Sequence, residues 1–403
     1  MNDLEPTLLI VPLLAVLAPL FARGLGRWVR VPIVVFELLL GILVGPSLLG
    51  WAQPDAFIDT LSQFGLAMLF FVAGSEIEFS VFRGRTGRNA IFGWLISLAA
   101  GVALGWLIAP GEEAVIIGIA LCSTALGTIL PILRDAGEMK TPFGRAAGAI
   151  GAVGEFGPLI AISIFLGGRD PDISALVLVL FGVIAGLAIW LAFKVPRGAM
   201  HRFVNSSLHT SGQFAIRVVL LILAGLIALS IVLDLDILLG AFTAGIVWRL
   251  IMRDAAEADR EAVESKVEAV AFGFLVPVFF ISSGVRFDLH ALFSSASTVA
   301  RVPIFLVALL VVRAVPALLY RPMLDRRRVA AAGLLQATSL TFVVAAAQIG
   351  MDLGVIGAAT GAALIAAGLL SVLVFPLVAL GLLGRRDEDL DAPAGTAATS
   401  SSS

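Results

Sequence analysis

The chain has 403 residues, of which 59% are hydrophobic and 14% charged, with a formal net charge of −2 and a mean hydropathy of +1.04. Soluble domains carry about a quarter charged residues, so an aqueous core cannot hide this much hydrocarbon, and an all-α polytopic membrane protein is expected. A large soluble domain and a disulfide framework are excluded, and the single cysteine, Cys122, lies in an apolar run where it makes no cysteine metal site.

At roughly 20 apolar residues per crossing, the predicted spans fall at 7–22, 31–50, 60–75, 90–109, 114–133, 147–167, 173–193, 215–233, 236–252, 267–285, 302–320, 329–350 and 355–383. The acidic start, MNDLEP, lacks the positive region of a signal peptide. Before the tenth span, RDAAEADREAVESK reads as an amphipathic or solvated helix of mixed charge. The last stretch, 385–403, reads as a disordered cytoplasmic tail, and no glycine signature for a nucleotide-sensing domain accompanies it.

Lys and Arg set the orientation. Alternate connections hold twenty-two of them, from Arg23, Arg27 and Arg30 through to Arg385 and Arg386, whereas the opposite set holds Arg169, Arg286 and Arg301. The positive-inside rule then places the N-terminus outside and the C-terminus in the cytoplasm of a multi-pass protein of the cell membrane, which requires an odd number of spans and agrees with thirteen. This balance favours no nucleic-acid partner; lipid is the solvent.

In such a chain the informative residues are those whose burial is expensive. Glu37, Glu155 and Arg313 fall well within spans, where a charge costs at least a few kcal/mol. Glu155, in GAIGAVGEFGPLIAI between Gly154 and Gly157, is a hard oxygen ligand suited to an alkali cation or a proton, or else a structural carboxylate bonded to a neighbouring helix. Arg313 either neutralises Glu155 across the bundle or bonds unwound carbonyls. Glu37 lies nearer a helix end, where a structural hydrogen bond is expected.

Two spans carry clusters of hydroxyl and amide groups. The fifth reads ALCSTALGTILPIL, with Ser123, Thr124, Gly127, Thr128 and Pro131; the twelfth reads LLQATSLTFVVAAAQIG, with Gln336, Thr338, Ser339 and Thr341. Interrupted helices free backbone groups, which membrane depth tolerates only against another helix or a water-filled cavity. The second cluster has no Gly or Pro at its centre, so its interruption rests on the pairing. Seven spans separate the two clusters, as in two inverted repeats joined by a linking span, here about 7–167, 173–193 and 215–383 within a membrane domain of 1–384. Spans five and twelve would then cross near the midplane, with Glu155 and Arg313 beside the crossing and oppositely directed half-helix dipoles compensating one another.

At these residues the sequence resembles the monovalent cation:proton antiporters of the sodium/hydrogen exchanger superfamily, in the branch of bacterial potassium-efflux and sodium/proton antiporters. The resemblance runs from about 7 to 384 and rests on VVFELLLGILVGPSLLGW, FGLAMLFFVAGSEIEF, KTPFGRAAGAIGAVGEFGP and VPVFFISSGVRFDLHAL. It implies a homodimer with a dimerisation domain and a mobile core domain that shifts the ion like an elevator. The family's essential acidic residue maps onto Glu155 and its basic residue onto Arg313. The family usually carries aspartate at the first of these, often after Asn, Asp or Gln, where this chain has glutamate after Gly154.

The implied function is exchange of a monovalent cation, sodium or potassium, for protons at one buried carboxylate. The oxygens of Ser123, Thr124, Thr128, Thr338 and Ser339 are candidate ligands, and Gly127, Gly154, Gln336, Thr341 and Glu37 are supporting residues. With one titratable carboxylate the exchange would be electroneutral, because arginine does not deprotonate in proteins. A sodium-coupled carrier of an organic solute, or a cation channel, on a similar inverted-repeat fold is the alternative. A membrane enzyme is disfavoured, since the intramembrane ionisable groups are too sparse for a metal site or a nucleophile with its base. The histidines, His201, His209 and His290, lie in connections, and no cofactor is implied.

Overall fold

The computed structural model describes residues 4–25, 32–77, 84–135, 137–139, 141–165, 171–193, 214–255 and 257–383. The proposed tail, and the connection holding His201 and His209, lie outside them. Every regular element among the described residues is helical. In chain order the elements run α1 (Leu4–Leu25), α2 (Ile33–Val44), α3 (Ala56–Glu76), α4 (Gly84–Ile108), α5 (Glu113–Leu121), α6 (Leu126–Asp135) and α7 (Pro142–Phe165). After α8 (Pro171–Phe193) come α9 (Phe214–Val232), α10 (Ile237–Ile251), α11 (Glu257–Val270), α12 (Val276–Val285), the short α13 (Leu289–Leu292), α14 (Ala296–Ala317), α15 (Arg326–Gln336), α16 (Thr341–Asp352) and α17 (Ala358–Leu383).

Local chemistry explains the boundaries. Asp55 caps α3 by accepting from the Phe57 N–H at 2.9 Å, Asp236 caps α10 through Leu238, and Ser295 caps α14 through Thr298. The second helix stops at Val44 because Pro46 biases Gly45 towards extended backbone, at φ −67 and ψ 173. Among the described residues, ten of the expected thirteen spans are long and apolar enough to cross a membrane. Two of the other positions hold the shorter apolar helices Ile33–Val44 and Ile237–Ile251, and the third holds α8, apolar over Asp172–Leu187. The tenth expected span begins earlier than its apolar run. The mixed-charge segment is helical as α11, buries Val263 and Val267, and passes through a π-helical turn at Ala271–Leu275 into α12.

The helices pack as two bundles. In the first, α3 lies along α10 and α12, α2 along α12 and α1, and α9 along α10. In the second, α4 packs on α5, α7 and α14, while α15 and α16 both pack on α17. The linking α8 touches α7, α9 and α10.

Candidate functional site

Both hydroxyl-rich spans are broken, at Cys122–Ala125 and at Ala337–Leu340, and the breaks meet at the centre of the second bundle. The second break has no Gly or Pro; its hydroxyl side chains compete with the helix for backbone partners instead. The freed groups satisfy one another. The Ala125 N–H donates to the Thr338 carbonyl at 2.9 Å, the Thr124 N–H donates to the Gly154 carbonyl at 2.9 Å, and the Ser339 N–H donates to Ser371 Oγ at 3.1 Å. Ser123 Oγ and Ser339 Oγ share a hydrogen bond of 2.5 Å. Such pairing is what allows irregular backbone at membrane depth.

Arg313, from α14, is buried to 1% exposure beside this crossing. Its Nη2 and Nε donate to Thr124 Oγ1 at 2.6 and 3.0 Å, Nη1 donates to Ser97 Oγ at 3.1 Å, and Nε reaches the Gln336 carbonyl at 3.5 Å. Thr124 Oγ1 in turn donates to that carbonyl at 2.7 Å. The guanidinium therefore sits at the carbonyl end of α15, where a helix favours a cation. Its close partners are hydroxyls, with the Gln336 carbonyl at the limit of reach, and no ion pair joins it to Glu155 among the described residues. Gly154 is explained by the same contact: a β-carbon there would stand 2.5 Å from Arg313 Nη2 and 2.6 Å from Thr124 Oγ1.

Glu155 faces the opposite way. It is 8% exposed, the Leu126 backbone N–H in the first turn of α6 donates to its carboxylate, and Oε2 has no hydrogen-bond partner. A carboxyl group thus meets the amide end of a half-helix while the arginine meets a carbonyl end. The two buried ionisable groups are held separately by the broken helices rather than by each other.

Glu155 borders a cavity of ≈ 530 Å³ between the bundles. From the second bundle Gly127, Thr128 and Thr341 join it; from the first, Val72 and Glu76 of α3 and Phe272 of the π turn close the wall. The cavity also reaches Pro32, Ile132 and Leu380, helix ends whose connections carry Arg23, Arg134 and Arg385 in the sequence. The predicted oxygen ligands divide accordingly. Thr128 and Thr341 line the cavity, whereas Ser123, Thr124, Thr338 and Ser339 do not, their hydroxyls being bonded within the crossing or, for Thr338, to the Leu334 carbonyl at 3.3 Å. Gln336 is buried with its Nε2 unpartnered. Glu37 is 4% exposed and does not line the cavity, and its Oε2 has no hydrogen-bond partner. The carboxylate that sequence reasoning passed over is Glu76: at the end of an apolar run, in AGSEIEF, it reads as a solvated helix end, yet it shares the cavity and bears on the charge of Glu155.

Crossed, interrupted helices with ionisable residues at the crossing define a secondary-transporter fold. Comparison with known proteins specifies it. Residues 13–381 match the family described as sodium/hydrogen exchanger, transmembrane, and the chain belongs to that family. It is 28% identical over 95% of its length to a putative Na(+)/H(+) antiporter, YjbQ, of Bacillus subtilis (strain 168), covering 64% of that protein. It is also 28% identical over 63% of its length to the Na(+)/H(+)-K(+) antiporter GerN of Bacillus cereus, covering 65% of it. The chain therefore spans about two thirds of these relatives. The solved sodium proton antiporter MjNhaP1 from Methanocaldococcus jannaschii shares the fold, with a TM-score of 0.67 over 93% of this chain and 96% of that one at 14% identity.

Proposed function

We propose that the chain exchanges a monovalent cation, sodium or potassium, for protons, with Glu155 as the carboxylate that cation and proton share. The observation that carries this is the unpartnered Oε2 of Glu155, a residue that lines a cavity between two bundles together with Thr128 and Thr341. The names of the Bacillus relatives point to the same pair of cations. A carboxylate held away from water titrates where lost solvation, which favours the acid, balances nearby cations, which favour the anion. Proton and cation then compete for one group, and exchange follows when the second bundle moves only with one of them bound.

Arg313 is a fixed charge in this scheme. It holds the crossing together and does not release a proton. Glu76 draws cations to the cavity mouth. The cavity faces the cytoplasm of the cell membrane, since the connections beside it are the basic ones. The first bundle is the stationary, dimerising part of a homodimer, and the two repeats supply one broken helix each.

The test is transport in inverted vesicles with sodium, potassium and lithium added in turn across a pH series, followed by proteoliposomes at a clamped potential. Cation-driven proton movement independent of voltage is expected. A rate that follows the voltage would refute one-for-one exchange, and no proton movement with any of the cations would refute the function.

A further inference from the structure

The Glu155 cavity has a counterpart at the other end of the molecule, a cavity of ≈ 460 Å³ bordered by Asp59, Ser283, Arg286, Gln348 and Asp352. Two helices separate them. On α12, Phe280 borders the inner cavity and Ser283, one turn further, the outer one. On α16, Thr341 borders the inner cavity and Gln348, two turns further, the outer one. Three residues of α12 rise about 4.5 Å and seven of α16 about 10 Å, so the barrier between the cavities is one to two helical turns thick.

One hydrogen bond spans this barrier from bundle to bundle. Gln348 Nε2 donates to Ser283 Oγ at 2.8 Å, and Ser283 is free to accept because its own proton goes to the Phe279 carbonyl at 2.7 Å. Behind it stands Arg286, at the end of α12. It is ion-paired with Asp59 of α3, Nε donating to Oδ1 at 2.9 Å, and also feels the charge of Asp352 at the end of α16. The stationary bundle thus presents a hydroxyl and a guanidinium, and the other bundle answers with an amide and a carboxylate from one helix.

We propose that the Gln348–Ser283 hydrogen bond is the outer gate: it holds α16 against α12 while Glu155 faces the inner cavity, and it breaks when the second bundle carries Glu155 to the outer one. This rests on the exchange reading for the motion of that bundle. Gln348 is a positioning residue, acting through α16, the helix that brings Thr341 to the inner cavity.

The full chain in right-side-out vesicles tests this with Gly127→Cys as a reporter, because Gly127 borders the inner cavity and a β-carbon there meets open space. The chain with only buried Cys122 is the blank. A membrane-impermeant maleimide outside should label the reporter slowly. Gln348→Leu and Ser283→Ala should each raise that rate about fivefold, the change in a two-state ratio that corresponds to about 1 kcal/mol. The double variant should go no further than either single one, and Ser283→Thr, which keeps the hydroxyl, should stay near the parent. Labelling from the cytoplasmic side in inverted vesicles confirms that each variant is folded. Unchanged outside labelling in both folded single variants overturns the gate, as does a parent labelled equally fast from both sides. If Glu155→Gln still abolishes cation-driven proton flux in that case, the exchange reading stands without this gate.

Discussion

Helices meet in two different ways in this protein. Along the seams of the first bundle they meet backbone to backbone: a β-carbon on Gly41 would fall on the Ile281 carbonyl, one on Gly284 on that of Leu38, one on Gly74 on that of Phe242 and one on Gly245 on that of Phe71. At the crossing in the second bundle they meet through hydroxyls, unwound backbone groups and a guanidinium. Lipid supplies no hydrophobic drive between helices, so close approach over small residues and polar contacts are the two available adhesives. The first leaves no slack and suits a frame. The second consists of separate bonds around two frayed helices, and it holds Glu155 and Arg313 without joining them.

The largest expected effect follows from removing the slack that does not exist. Gly245→Leu should cost about 3 kcal/mol or more, because the obstructing atom is backbone and cannot rotate away. It should appear as loss of the monodisperse peak on size exclusion in detergent. Next comes the crossing's centre. Arg313→Met should lower stability by about 2 kcal/mol, since it strips donors from buried Thr124 and Ser97, and a thermal-shift assay measures it. The smallest effect is expected at Ser123→Ala, about 0.6 kcal/mol, the average for an interhelical hydrogen bond in a membrane. Ser339 keeps its backbone bond to Ser371 there, so a calorimetric midpoint should barely move. If Ser123→Ala proved as damaging as Gly245→Leu, the distinction between seam and crossing would fail.

Much of this was legible in the sequence because lipid makes polar residues conspicuous. Glu155 and Arg313 stand out from an apolar background, and the hydroxyl clusters mark both breaks, even the one at Ala337–Leu340 that has no Gly or Pro. What was not legible depends on rotation and partner. Thr124 and Thr128 are one helical turn apart in number, but the break between them sends one to Arg313 and the other to the cavity. The separate seating of the two buried ionisable groups needed the helix ends in place. The shortness of α2 and α10 was hidden because apolar turns on either side extend the hydropathy signal. Glu76 was hidden because a carboxylate at a helix end is ordinary until a cavity is found beside it.

The central claim is that one carboxylate, Glu155, takes either the cation or the proton. The direct measurement is proton release on cation binding to the purified protein, by titration calorimetry in buffers of different ionisation enthalpy across a pH series. On the acidic side of the Glu155 titration, the wild-type chain should release one proton per cation, with an apparent affinity that falls about tenfold per pH unit as the proton outcompetes the cation. Glu155→Gln should abolish both. Cation-coupled proton release of the same size in a folded Glu155→Gln protein would contradict the account.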